Sequence, residues 1–248
     1  MKPVESAPTV GLSRAAPSAG QIALGGLLIA SAVLVANSNT FQLPFVFDDR
    51  ASILDNPTIR HLWPIWDALS PPRGTGVTVA GRPVLNLSFA FNYAISGLDG
   101  WSYRALNLAI HALAGLTLFG LIRRTLALPA PAARFGEHAR LLALTITGIW
   151  ALHPMQTESV TYLVQRAESL MGLFYLLTIY CYLRSVDARR PGIWYGLAIA
   201  ACLFGMGTKE VMVSAPLMVL LHDRTFVAGS FAAAWRRRKG LYAGLACT

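Results

Sequence analysis

Long apolar runs alternate along this chain with short basic clusters and with three polar segments. The runs fall at 20–38 (GQIALGGLLIASAVLVANS), 102–122, 140–152 with its flanks, 169–183, 192–208 and 211–222, and a further one starts at Leu241. A hydrocarbon core of about 30 Å takes roughly 20 helical residues, within a range of about 17–25. Each run therefore predicts a membrane-spanning helix, and the one from Leu241 a seventh span that the end of the chain cuts short. The first run is read as a signal anchor, because Leu34-Val35-Ala36 makes a poor cleavage site. One stretch does not fit the series. Residues 83–97 (PVLNLSFAFNYAISG) are apolar, but as a helix they reach only about 22 Å. They predict a helix lying on the membrane surface, with Asn86 and Asn92 on or near its wet side. Asn86-Leu87-Ser88 is a glycosylation sequon that a surface-bound helix presents poorly.

Composition agrees with the pattern. Of the 248 residues 54% are apolar and only 13% charged, where soluble domains carry about 25% charged residues. Lys and Arg number 21 against 12 Asp and Glu, for a net charge of +9. The basic residues sit in clusters between apolar runs instead of along one face, so no nucleic-acid partner is expected. The three cysteines are scattered in or beside apolar runs and suggest neither a disulfide framework nor a zinc site.

The charges also orient the chain. With residues 1–19 as a cytoplasmic tail, the inner segments gather Arg123 and Arg124, Arg184 to Arg190, and the Arg236 to Lys239 run, as the positive-inside rule requires. The acids lean the other way, with Asp48, Asp49, Glu158, Glu168 and Glu210 outside. Residues 20–248 are then one membrane domain, an all-α polytopic helix bundle whose first outer loop, 39–101, carries interfacial helices.

Candidate chemistry lies in the outer segments. Asp48 and Asp49 follow an apolar FVF, and adjacent side chains diverge on a strand or a helix. One can face a cleft while the other pairs with an arginine or binds a metal; a solvated turn is the plainer alternative. In the second segment, a helix through 158–168 would place Glu158, Thr161, Gln165 and Glu168 in one narrow sector, with Arg166 to the other side. Such a stripe lines something wet, or else forms a hydrogen-bonded seam between helices. Lys209-Glu210 occupies a tight turn between two runs. Charges near a membrane are costly and mark function by default, although a surface ion pair is the simpler account. Asn107 and His111, four residues apart, read as a buried polar seam, without the neighbours a metal site needs.

Taken together, FVFDDR (45–50), GRPVLNLSFAFNYAISGLD (81–99), ALHPMQTESVTYLVQRAESLMGLFYLLTIYCYL (151–183), GTKEVMVSAPLMVLL (207–221) and HDRTF (222–226) resemble the membrane half of the TPR-bearing O-mannosyltransferases, within the GT-C glycosyltransferase superfamily. The resemblance covers the chain from about residue 20 onward. The repeat half of that family is not recognisable here, which fits a chain truncated before its repeats. The resemblance implies a GT-C-like bundle whose outer loop forms the active site. It also implies transfer of a sugar from a polyprenyl-phosphate donor to a hydroxyl on a protein or another acceptor. The family's acidic motif in the first loop matches Asp48 and Asp49.

Chemistry then assigns roles. A carboxylate within about 3 Å of the acceptor hydroxyl serves as base, and cations stabilise the departing phosphate. Arg82, Arg166 and Lys209 are the cations in the outer runs, and Glu158 and Gln165 are the expected sugar or acceptor contacts. No cofactor is required, though the acid pair leaves room for a divalent metal. High Ala, Arg and Leu usage suggests a bacterial inner membrane with the active face periplasmic. Two other classes stay open: a transporter of a lipid-linked substrate, and a non-catalytic membrane anchor for a repeat domain.

Overall fold

A computed structural model describes residues 18–74 and 77–248. Most of the expected 1–19 tail lies outside the described residues. The described chain is all helical, and no strand occurs in it. The helices are α1 (Ala19–Ala36), α2 (Ile65–Ala68), α3 (Pro83–Ser96), α4 (Trp101–Leu126), α5 (Pro129–Phe135), α6 (Ala139–Ala151), α7 (Thr157–Thr161), α8 (Arg166–Ser185), α9 (Pro191–Met206), α10 (Ala215–His222) and α11 (Phe231–Ala246). Short 3-10 and π turns join several of them.

Among the described residues, three segments are long and apolar enough to cross a membrane: Ala19–Gln42, Trp101–Leu126 and Glu210–Ala228. Three other predicted spans are helices, but of different character. The 13-residue α6 and 16-residue α9 reach only about 20 and 24 Å at helical rise. The 20-residue α8 carries Arg166, Glu168 and Arg184 at its ends.

Starts and stops follow local chemistry. Ser18 caps α1 by accepting the Gln21 N–H at 3.3 Å. Proline at the first turn opens α3 and α9, where its missing N–H costs nothing. Gly81 and Gly97 bracket α3 with φ of +72° and +59°, a region that side-chain-bearing residues avoid. Helix seams use small residues for close approach: a Cβ on Gly25 of α1 would come within 2.9 Å of the Phe119 ring of α4.

Two cores organise the molecule. One joins α8 to α11 through Ile179, Tyr182, Leu183, Cys202, Met212 and Leu241. The other lies beneath the 39–101 segment, where Ile53, Ile59, Val79, Leu85 and Phe89 meet Tyr103 of α4, Leu163 and Val164 just before α8, and Ala167 in its first turn. The long loop thus has a packed interior of its own, fastened to two helices of the bundle.

The apolar run from Leu241 lies in a helical segment set off by a kink in α11 at Arg238 (φ −135°, ψ 31°). The Arg238 guanidinium turns back to both oxygens of Asp223, each at 2.8 Å, and Leu241 is fully buried in the core. One expectation fails: Asn86 and Asn92 do not face water, being 0% and 1% exposed. Asn86 donates to the Ala68 carbonyl and to Thr58 Oγ1 and accepts from Asn56 Nδ2, all within 2.9 Å. Its amide is wholly committed to holding α2 and the 57–59 turn against α3. Asn86→Ala leaves those partners buried and unmatched, at about 1–3 kcal/mol, and is expected to lower the unfolding midpoint in detergent.

Candidate active site

The polar chemistry concentrates at the end of the bundle that carries the 39–101 segment. The FVFDD stretch is bent there by Phe47, whose φ is +46°, and the bend sends the two aspartates to different places. Asp49 is fully buried. Its Oδ2 accepts the Val46 N–H and its Oδ1 the Val164 N–H, each at 3.0 Å. Burial raises its carboxyl above the usual range, against the opposing pull of those N–H groups and of Arg104. Both Asp49 oxygens are therefore spent on backbone.

Asp48 is exposed. Its backbone N–H donates to the Tyr162 hydroxyl at 3.2 Å, and its Oδ2 accepts from Thr78 Oγ1 at 3.4 Å. Burial foremost, with the two aspartates, raises the Tyr162 phenol, so it stays a neutral hydroxyl. Of the pair, only Asp48 has a carboxylate that can meet a substrate.

Thr78 passes the connection on, since Arg82 Nη1 donates to its carbonyl at 2.9 Å. Arg82 also reaches Glu210 at 3.4 Å, and Lys209 pairs with Glu168. Arg82, Lys209 and Glu210 line a cleft of about 580 Å³ with Ala80, Gly81, Met206 and Val213. Its two walls are clipped together by backbone: Val84 N–H donates to the Gly207 carbonyl at 2.9 Å. A Cβ on Gly207 would fall 2.5 Å from Val84 Cγ2, so glycine is what allows this approach.

The Arg82–Glu210 pair is loose: Glu210 is 73% exposed, and an ion pair so open to water contributes little.

Other expected site residues lie elsewhere. Arg166 is fully buried and does not face the cleft. Nε donates to Asn107 Oδ1 at 2.6 Å, and Nη1 to the Ser88 carbonyl and hydroxyl at 3.1 Å and to Asn92 Oδ1 at 2.7 Å. Nη2 donates to the Tyr103 carbonyl at 2.8 Å, and the group stacks 4.6 Å over the Phe89 ring. Arg166 fastens α3, α4 and α8 together.

The stripe expected along 158–168 is also interrupted. α7 ends at Thr161, Tyr162 is extended (ψ 111°), and a 3-10 turn spans Leu163–Gln165 before α8 begins. Asp49 supplies the acceptor for Val164 N–H at that break. Glu158 is exposed on α7 and Gln165 half-buried, and neither lines the cleft. Asn107 joins a buried seam with Arg166, as its place in α4 suggested. Among the described residues, no three His, Cys, Asp or Glu side chains are grouped as a metal site. Thr78, Tyr162 and Glu168 were not singled out as site residues; no motif marks Thr78, whereas Glu168 stood in the polar stripe.

These features define a helical membrane protein with a carboxylate and two cations gathered beside a cleft at one end. Comparison with known proteins is more specific. The chain is 32% identical over 207 residues to Protein O-mannosyl-transferase Tmtc1 of Drosophila melanogaster, covering 81% of this chain and 23% of that protein. It is 32% identical over 170 residues to Protein O-mannosyl-transferase tmtc2 of Xenopus laevis, covering 65% and 19%. It is 29% identical over 189 residues to Protein O-mannosyl-transferase TMTC3 of Homo sapiens, covering 73% and 19%. Over most of its length the chain is thus homologous to the TMTC protein O-mannosyl-transferases. It spans about a fifth of the length of these curated relatives. No protein-family profile and no solved structure matches it.

Proposed function

We propose that this chain is part of an integral membrane glycosyltransferase that moves mannose or another hexose from a polyprenyl-phosphate donor to a protein hydroxyl. The supporting observation is the exposed Asp48 carboxylate, tied through Thr78 to the Arg82–Lys209 cleft, in a chain whose relatives are named O-mannosyl-transferases.

In this reading the acceptor hydroxyl attacks the anomeric carbon, and Asp48 takes its proton as the new carbon–oxygen bond forms. The bond from the anomeric carbon to phosphate breaks, and its electron pair leaves on the phosphate oxygen. Arg82 and Lys209 leave Glu210 and Glu168 to meet that charge. A single displacement inverts the anomeric configuration. Asp49 positions Asp48 by fixing the loop that carries it, and Arg166 sets the helices behind. With the N-terminus cytoplasmic, the cleft faces the outer side, the periplasm in a bacterial inner membrane.

The test is transfer of radiolabelled mannose from polyprenyl phosphate by membranes carrying the full-length protein. Arg82→Ala and Lys209→Ala are each expected to lower transfer about ten- to a hundredfold, in keeping with the loss of one charge-assisted contact of about 1.5–3 kcal/mol. Wild-type transfer by both variants removes the phosphate role. Absence of transfer from any donor leaves the membrane-anchor reading.

A further inference from the structure

Apart from the Arg82–Lys209 cleft, two adjoining cavities of about 230 and 120 Å³ lie around the end of α6, α7 and the start of α8. His111 and Gln156 line both. The smaller is completed chiefly by Trp150, Ser159, Glu168 and Gly172.

His111 Nε2 lies 2.9 Å from the Ala151 carbonyl oxygen. A carbonyl only accepts, so Nε2 carries the hydrogen, and Nδ1 of the neutral ring is an acceptor. Glu168 adds carboxylate oxygens, Gln156 an amide, and Ser159 a hydroxyl. Beside them stands the Trp150 ring, centred 5.3 Å from the His111 ring. No Lys or Arg lines either cavity. Mixed donors and acceptors around an aromatic plate, with no Lys or Arg in the lining, suit a neutral ligand that has many hydroxyls and an apolar C–H face. They do not suit a phosphate.

Glu168 connects this space to the cleft. Glu168 lines the smaller cavity, and its ion-pair partner Lys209 lines the cleft. The ion pair stands between an anion-accepting space and a hydroxyl-accepting one, which is the division a sugar phosphate needs.

We infer that the cavity walled by Trp150, His111, Gln156 and Glu168 is a monosaccharide subsite that takes the hexose of the lipid-linked donor. This rests on the glycosyltransferase reading above. Hexose hydroxyls donate to His111 Nδ1 and Glu168, its C–H face lies on Trp150, and its phosphate reaches Lys209 across the ion pair.

Gly172 supplies a test that spares the fold. A Cβ built there meets nothing within 4 Å, and leucine is the better helix former. Gly172→Leu therefore starts a bulky side chain in open space on the cavity wall. Full-length protein in phospholipid nanodiscs is assayed by saturation-transfer NMR with methyl α-D-mannopyranoside, and by transfer from radiolabelled mannosyl phosphopolyprenol. Gln156→Ala and Gly172→Leu are expected to lose the saturation-transfer signal and to raise donor KM about tenfold, equivalent to about 1.4 kcal/mol. Asp48→Asn is expected to keep the signal while losing transfer. If wild type transfers sugar and both cavity variants keep its KM and signal, the subsite is overturned while the glycosyltransferase reading stands. If wild type transfers from no donor but the cavity variants alone lose the signal, the subsite stands and the transfer reading falls. Wild type showing neither signal nor transfer overturns both.

Discussion

Asp48→Asn is expected to cut sugar transfer by about a hundredfold to ten-thousandfold, the contribution of a positioned general base. The fold should be unaffected. The side chain is exposed, it accepts a 3.4 Å bond from Thr78, and the 3.2 Å bond to Tyr162 uses the backbone N–H, which asparagine keeps. Donor KM is expected to stay near wild type, because the carboxylate acts on the acceptor's proton. Asp49→Asn separates the neighbouring roles. Asparagine offers one oxygen where the carboxylate served two backbone N–H groups, so this variant loses thermal stability together with activity. Single-turnover transfer and unfolding midpoints, measured on the same preparations, distinguish the two. Full transfer by Asp48→Asn removes the base assignment.

The second large effect is on the fold. Arg166→Met is expected to destabilise the full-length protein by about 3 kcal/mol or more, a size reserved for the loss of a buried polar network. The substitution preserves much of the side chain's length. It leaves Asn107, Asn92 and the Ser88 and Tyr103 carbonyls without the donor that served them, and each buried acceptor so abandoned costs about 1–3 kcal/mol. Arg166→Lys does not restore the arrangement, because a point ammonium cannot reproduce a planar fork that meets two other helices while stacking on Phe89. Thermal unfolding in detergent checks both variants. A wild-type midpoint for Arg166→Met contradicts the fastening role.

The contrast between Asp48 and Arg166 bears on what the sequence can tell. Helix positions were legible wherever apolar runs met proline or glycine: the stretch read at 83–97 is helix Pro83–Ser96, and that at 140–152 is Ala139–Ala151. The divergence of the two aspartates was legible as well, because neighbouring side chains leave the backbone in different directions. Which one turns inward was not, since the answer lies in Val164, 115 residues away. The break at Tyr162 was hidden for the same reason. TESVTYLVQRAES holds no proline or glycine, and a distant carboxylate satisfies the backbone where the helix stops. Arg166 looked like a substrate contact because its partners, Ser88 and Asn92 on α3 and Asn107 on α4, lie on other helices that no local pattern brings together. Asn86 was misread because a surface helix was expected to have a wet side, whereas the loop beneath which it lies has its own core.

The bonds from Asp49 to Val164 and from Arg166 to Ser88, Asn92 and Asn107 also set an order of events during synthesis. The first long loop leaves the ribosome well before its fastening residues do. Nascent chains arrested before residue 160 should therefore present that loop to added protease, and chains extended beyond the start of α8 should protect it. The contacts that fasten the loop are made late in translation, by a segment that arrives after the loop itself.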